Sequence, residues 1–457
     1  MQTADKNGVR KLDRSALKTA FGTIGWPVAG KVTNITGTIV EAFLPSCQLG
    51  TVARIGAASP GTKDILAEVV GFRDEKALLL PYTQLQGIAS GAKVHREAIV
   101  DRIPVGEHLL GRVVDPFMRP IDGLDPFTVE HPKHAPLERE APNPLARKRI
   151  EKTLSLGVRA MDSLLSFGEG QRIGIMAGSG VGKSVLMGMI ARGSEADVNV
   201  IGLIGERGRE VKEFLEKDLG PEGLKRSVVV CVTSDQSPLM RIRGAKAVTA
   251  ISEYFSHLGN RVLLFMDSLT RVAMAQREIG LAIGEPPTTK GYPPSVFSLL
   301  PRLLERCGPQ AEGHGSISGL YTVLVDGDDF NDPMPDAARA ILDGHINLSR
   351  SLAAKGHFPA IDITTSASRV MYDIVSKDHW TCANYVKSLM GVYQENYDYI
   401  QIGSYQPGTN PILDQAINIM PKLEDFLTQD IHEPSDFQTA QQLLAQLCAE
   451  ASGSARQ

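Results

Sequence analysis

The stretch that most constrains this chain is Ala177-Gly178-Ser179-Gly180-Val181-Gly182-Lys183-Ser184. It follows the apolar run RIGIM and precedes VLMGMIAR. A strand, a glycine-rich turn and a helix in direct succession form a phosphate-cradling Walker A unit. Glycines let the backbone take conformations closed to other residues and bring N–H groups close to an anion. The helix start adds partial positive charge. Lys183 can reach the β- and γ-phosphates, and Ser184 can ligate magnesium. Ala177 stands where the motif has its first glycine; the remaining glycines are in place.

Such a unit needs an open α/β sheet around it, and the sequence from about 150 supplies one. QRIGIMAG, NVIGLIG, SVVVCVT, RVLLFMD, LYTVLVDG and PAIDIT are near-continuous apolar runs. Strands of that kind are covered on both faces and belong to parallel sheets. They alternate with longer helical segments, which predicts an α/β domain over 150–385. After about 385 the strands fade. Phe437, Ala440, Leu443, Leu444 and Leu447 share one helical face, so 386–457 reads as a helical domain.

Upstream, the short Val-, Ile- and Leu-rich runs in 29–100, split by Gly, Asp and Ser turns, predict a small β-barrel. The Pro-rich stretch HPKHAPLEREAPNPLAR places a linker region over 101–149. Residues 1–28 are polar and basic, with Leu12, Ala16, Leu17, Ala20 and Phe21 at helical spacing. They read as a segment for a partner or a membrane surface, or as a helix packed on its own protein.

Three further sites end strands of the α/β domain. Asp267 closes RVLLFMD at the edge where open sheets bind ligands. It can hold magnesium through water in the Walker B manner, or cap the next helix. Glu206, in GERGREV after NVIGLI, can polarise an attacking water. Arg207 beside it can orient that glutamate or touch phosphate; a solvated charge cluster is the other reading. Arg369, after PAIDITTSAS, can reach across an interface to stabilise charge on a γ-phosphate, or form a structural ion pair.

Composition narrows the classes. The chain has 457 residues, 48 Lys plus Arg against 52 Asp plus Glu, and a net charge of −4. At 42% hydrophobic and 22% charged it is ordinary globular material. The balance argues against a chain whose main task is coating nucleic acid. No apolar run approaches the ~20 residues of a membrane span. The five cysteines are dispersed and lack a CxxC, which fits a reduced, cytoplasmic setting.

Taken together, AGSGVGKS, GERGREV, LLFMDSLTR, GEPPTTKGYPPSVFSLLPRLLER and GHFPAIDITTSASRV resemble the ATPases related to the rotary ATP synthase, the ATP synthase alpha/beta family. The resemblance is closest to the ATPases of type III protein export, in flagella and in virulence injectisomes, and runs from about 29 to about 440. It implies an N-terminal β-barrel, a RecA-like P-loop ATPase core and a C-terminal α-helical domain. It implies an ATP hydrolase that uses ATP and Mg2+ and works as a homohexamer with nucleotide at subunit interfaces. Ala177 to Ser184 then hold the phosphates, and Ser184 and Asp267 the magnesium. Glu206 falls on the catalytic glutamate and Arg207 on its companion arginine. Arg271 falls on a phosphate-side arginine, Phe358 on the aromatic that faces adenine, and Arg369 on the arginine that acts across the interface. The second wall of the adenine pocket falls between Gln429 and Phe437. The implied partners are a stalk-type regulatory protein, a central stalk protein, and export chaperones and substrates. The implied place is the cytoplasmic face of the inner membrane, peripherally docked.

Carrying both Glu206 and Arg369 makes a ring of this one chain self-sufficient, which favours export over synthesis. EGLKRSVVVCVTSDQSPLMRIRGAKAV and DAARAILDGHINLSR favour the flagellar branch. Two other readings stand beside this one. One is the catalytic subunit of a proton- or sodium-translocating ATP synthase. The other is an RNA-dependent ring helicase, which needs basic and aromatic side chains along the barrel. Here Lys31, Arg54, Lys63 and Arg73 are few and scattered, so no nucleic acid partner is expected.

Overall fold

The computed structural model describes residues 29–57, 63–97, 101–325 and 332–453. The expected partner-binding segment 1–28 lies outside the described residues. The chain divides into two compact units, one up to Val100 and one from Asp101 onward.

The first unit is a closed barrel with strand order β1-β2-β5-β4-β3-β6. The strands are β1 (Ala29–Thr36), β2 (Ile39–Phe43), β3 (Val52–Ile55), β4 (Ile65–Arg73), β5 (Lys76–Pro81) and β6 (Lys93–Arg96). Period-two alternation is plain in β4, where Ile65, Ala67 and Val69 are buried between half-exposed neighbours. The interior is filled by Val32, Val40, Ala42, Ala53, Ile55, Leu79 and Val94. Small inward residues suit the narrow interior of a barrel with so few strands. Asp74, at φ 52°, turns the β4–β5 hairpin in a conformation that Asp tolerates better than most residues.

The second unit is built on a sheet of nine strands. Its members are β8 (Val113–Val114), β10 (Arg172–Ala177), β11 (Val198–Glu206), β12 (Ser227–Thr233), β13 (Arg261–Asp267), β14 (Gly308–Pro309), β15 (Ser316–Leu324), β16 (Gly344–Leu348) and β17 (Ile361–Ser368). The order is β17-β16-β10-β15-β13-β11-β12-β8, with β14 pairing β15 off this path. From β16 to β8 every neighbouring pair on the path is parallel. Only β17 and β14 run antiparallel to their partners. The strands are buried along nearly their whole length, as parallel strands covered on both faces must be.

Residues 101–149, expected as a linker, are folded into this unit. β7 (Arg102–Val105) pairs with β9 (Lys133–Pro136), and β8 forms the edge of the large sheet beside β12. Arg112 clasps Asp122 with two bonds, Nε–Oδ2 at 2.7 Å and Nη2–Oδ1 at 3.1 Å. Strands this short leave little apolar periodicity to read, and the prolines between them dominate the sequence signal.

The principal helices are α1 (Lys183–Gly193), α2 (Pro238–His257), α3 (Leu269–Ile283), α4 (Pro294–Leu304), α5 (Lys377–Glu395), α6 (Pro411–Leu427) and α7 (Phe437–Gly453). Ser237, Ser268, Ser376 and Asn410 cap α2, α3, α5 and α6 with side-chain oxygens, the preferred N-cap chemistry. The expected domain border at 385/386 falls inside α5. Ser376 starts that helix, and Ala383, Val386 and Leu389 continue one buried face across the position. Those residues join Leu423, Phe426 and Leu444 in the same apolar core as Ile173, Ile175, Leu186 and Phe265. The C-terminal helices therefore share the core of the sheet.

Candidate active site

The parallel strands deliver three of the predicted site residues to one edge of the sheet, each at a strand's C-terminal end or just beyond it. β10 runs into the phosphate-type loop, β11 ends on Glu206 and β13 ends on Asp267. Gly180 and Gly182 adopt φ of 77° and 89°, which other residues rarely take. Gly182 is the N-cap of α1, so Lys183 and Ser184 open that helix. Ala177 is the last residue of β10, paired with Leu324 in ordinary strand geometry. That is why an alanine is tolerated at the motif's first glycine.

Lys183 reaches back from α1 to the two acids. Its Nζ lies 3.5 Å from Glu206 Oε1 and bonds Asp267 Oδ1. Asp267 is 4% exposed, and the Thr322 hydroxyl donates to the same Oδ1 at 2.6 Å. Burial pushes the Lys183 pKa down, but the Asp267 and Glu206 carboxylates outweigh it, so the ammonium is held above its ordinary value. Burial pushes the Glu206 carboxyl up to about 7. The Asp267 charge acts in the same direction, Lys183 opposes, and Glu210 raises it further. A carboxyl that titrates near neutrality behind a phosphate-type loop can accept or orient a water proton.

The other predicted residues divide. Ser184 stands in the first turn of α1. Arg271 is close by: its stem packs on Gly205, where an added Cβ would come within 2.8 Å of Arg271 Cβ. Arg271 Nη1 reaches Met274 Sδ at 3.8 Å, and its buried Nε has no hydrogen-bond partner among the described residues. Arg207 turns outward. Its side chain is 78% exposed and pairs with Glu210 at 3.2 Å.

Arg369 sits at the far end of the sheet. β17 pairs antiparallel with β16, Ser368 opposite Gly344. The Arg369 amide donates to Asp343 O at 3.0 Å, and the Asp343 amide donates to Arg172 O at 2.8 Å. Arg172 begins β10, whereas the phosphate-type loop leaves its other end, so roughly 17 Å of strand separates the two. The exposed guanidinium donates to Leu342 O at 3.2 Å and Arg339 O at 3.0 Å. It does not serve the loop of its own chain.

Phe358 lies against the phosphate-type loop: a Cβ on Gly182 would stand 3.5 Å from its ring. The ring is 42% exposed. In the stretch from Gln429 to Phe437, Gln429 is buried and its amide bonds Gly157 O and Glu433 O, each at 3.0 Å. Phe437 packs on His379, ring centroids 5.6 Å apart. Ile431 is the exposed aliphatic side chain of that stretch. Its carbonyl accepts from Arg192 at 2.6 Å, and the Gln429 backbone N–H donates to Phe358 O at 2.9 Å. Ile431 lies within the Gln429–Phe437 stretch expected from the sequence but was not singled out there, and Thr322 was not anticipated. A threonine inside the otherwise large-apolar run LYTVLV was the available signal for Thr322.

Comparison with known proteins agrees with this architecture. The family model for the ATP synthase alpha/beta nucleotide-binding domain matches residues 157–368, and that for the family's beta-barrel domain matches 32–97. The model of the T3SS EscN ATPase C-terminal domain matches 375–446. The flagellum-specific ATP synthase of Bacillus subtilis is 52% identical over 412 residues, covering 89% of this chain and 92% of that protein. Its counterpart in Salmonella typhimurium is 50% identical over 424 residues, covering 91% and 92%. A solved structure of the assembled ATPase EscN from the enteropathogenic E. coli type III secretion system superposes with a TM-score of 0.85 at 44% identity, covering 92% of this chain and all of that one. EscN in complex with its central stalk EscO gives 0.84 at the same identity and coverage. The chain belongs to the ATP synthase alpha/beta family, in the branch of flagellar and type III secretion ATPases.

Proposed function

We propose that this chain is a magnesium-dependent ATP hydrolase that works as a homohexameric ring and energises flagellar protein export. One observation carries the reading. Lys183, Glu206 and Asp267 converge behind the phosphate-type loop, while Arg369 stands at the opposite end of β10. Each copy offers a nearly complete site on one side and its missing arginine on the other.

The chemistry follows from the residues. The loop N–H groups and the start of α1 receive the phosphate oxygens, and Lys183 moves from the carboxylates to the β- and γ-phosphates. Ser184 and Asp267 fit magnesium: they are a hydroxyl at a helix start and a buried carboxylate. Asp267 Oδ1 accepts from Thr322, which leaves Oδ2 for a hydrated cation. Bound magnesium supplies positive charge against the phosphate oxygens. Glu206 holds or takes the proton of the attacking water. Arg369 of the neighbouring copy meets the charge developing on the γ-phosphate. Phe358 offers its ring face to the base.

The pH dependence tests the role of Glu206. Its carboxyl, pushed up to about 7, must be ionised to act as base. We therefore expect kcat/KM to rise about tenfold per pH unit below neutrality and to level off above it. Glu206→Gln should remove that rise. A wild-type profile flat from about pH 5.5 to 8 would sink the assignment.

The partners follow the same reading. EscN is solved with its central stalk EscO, which supports a central stalk protein in the ring of this chain. A regulatory stalk-type protein, export chaperones and substrates complete the set. Docking at the inner membrane is read as peripheral; no helix among the described residues is long and apolar enough to cross a membrane. Against a helicase, Arg54 of the barrel is paired with Glu97 and Arg73 with Glu41 at 3.0 Å. The flagellar reading is supported by 52% and 50% identity to two flagellar relatives, against 47% to two Type 3 secretion system ATPases. Deleting the gene should abolish filament assembly and swimming, with rescue by wild type but not by Lys183→Ala. Normal motility with lost effector secretion would assign the injectisome instead.

A further inference from the structure

The turn 428–433 that follows α6 is held from three directions. From the segment before β10, Arg159 sends Nε to Phe426 O at 2.9 Å, Nη2 to Thr428 O, and Nη1 to the Glu433 carboxylate. The Arg159 amide donates to Gln429 Oε1 at 2.9 Å. From the end of α1, Arg192 bonds Ile431 O. From the loop before β17, the Phe358 carbonyl accepts the Gln429 amide.

Capping α6 alone would need only the bonds to Phe426 and Thr428, whose carbonyls are orphan acceptors at a helix end. Of the remaining bonds, two fix the turn to Arg159 through Gln429 and Glu433, and those of Arg192 and the Phe358 carbonyl tie it to α1 and to Phe358, which flank the phosphate-type loop. The Arg159 side chain is only 12% exposed, and its planar fork reaches three acceptors at once. A lysine cannot reproduce that geometry.

We infer that Arg159 is a positioning residue for the nucleotide base. By fixing the 428–433 turn it holds Ile431 and the Phe358 ring as the apolar walls that receive a purine. This rests on the reading of the phosphate-type loop as the nucleotide site. The effect should fall on affinity for the base and spare the phosphate contacts.

The test is steady-state kinetics on the full chain, with ATP as substrate and inorganic tripolyphosphate as competitive inhibitor. Arg159→Ala should raise the KM for ATP about tenfold and keep kcat within about twofold, the pattern of lost ground-state binding. The inhibition constant of tripolyphosphate, which has no base, should stay within about twofold of wild type. Glu433→Ala should move the ATP KM the same way by about threefold, and Arg159→Lys should not restore it. If Arg159→Ala does not fold, Glu433→Ala and Arg159→Lys carry the test. An unchanged ATP KM in the folded variants overturns the inference. So does a tripolyphosphate constant that weakens in step with ATP. A wild-type chain that binds neither compound overturns the nucleotide reading as well, whereas wild-type hydrolysis with indifferent variants overturns only the role of Arg159.

Discussion

Arg369→Ala is expected to lower ATP turnover by roughly 10³ to 10⁵, the range lost when an arginine finger is removed. Nucleotide affinity of the isolated chain should hardly change, because Arg369 lies a β-strand's length from its own phosphate-type loop. Stability should hold too. The guanidinium is exposed and, among the described residues, bonds two backbone carbonyls, so truncation strands no buried charge. Hydrolysis and binding of a fluorescent ATP analogue, measured on the same preparation, separate the two effects. Turnover within about threefold of wild type would remove Arg369 from the chemistry.

Lys183→Ala is the second large effect, and it acts twice. It removes the charge placed for the β- and γ-phosphates, so turnover should fall by about 10³ or more. It also leaves Glu206 and Asp267 without their shared cation. Removing one partner of a buried ion pair costs about 3–5 kcal/mol. Here the cost depends on pH. Glu206 already titrates near 7 with Lys183 in place, and without Lys183 it titrates higher. A raised carboxyl pKa means stability is lost as pH rises through the folded value. The stability deficit of Lys183→Ala should therefore be largest in mildly alkaline buffer and shrink toward pH 5. Urea unfolding at the two pH values checks this; a deficit independent of pH would contradict the ion-pair account.

The phosphate-type loop and the parallel strands were legible because their signals are local. Glycine freedom, a lysine at a helix start and unbroken apolar runs are each written in a few consecutive residues. The placement of Glu206 and Asp267 at strand ends was legible for the same reason, as acids closing such runs. The barrel followed from turn spacing. What escaped depends on contacts distant in the chain. Thr322 matters only because β15 lies beside β13 and puts its hydroxyl on Asp267. Arg159 matters only because α6 returns to it across more than half the chain. The linker expected over 101–149 was a reading of prolines that could not register a two-residue strand pairing with β12. The border expected at 385 followed the last strand, while the helix that replaces it begins at Lys377. Arg207, beside Glu206 in sequence, faces solvent because the chain turns from β11 into a helix between them.

The central claim is that each site is shared by two copies of the chain. Mixing Glu206→Gln with Arg369→Ala tests it directly, since each is inactive alone for a different reason. In a randomly mixed ring one interface in four pairs an intact Glu206 with an intact Arg369. The mixture should regain about a quarter of the wild-type rate if sites act independently. A mixture as inactive as its two components, under conditions where wild type forms active rings, would contradict the shared site.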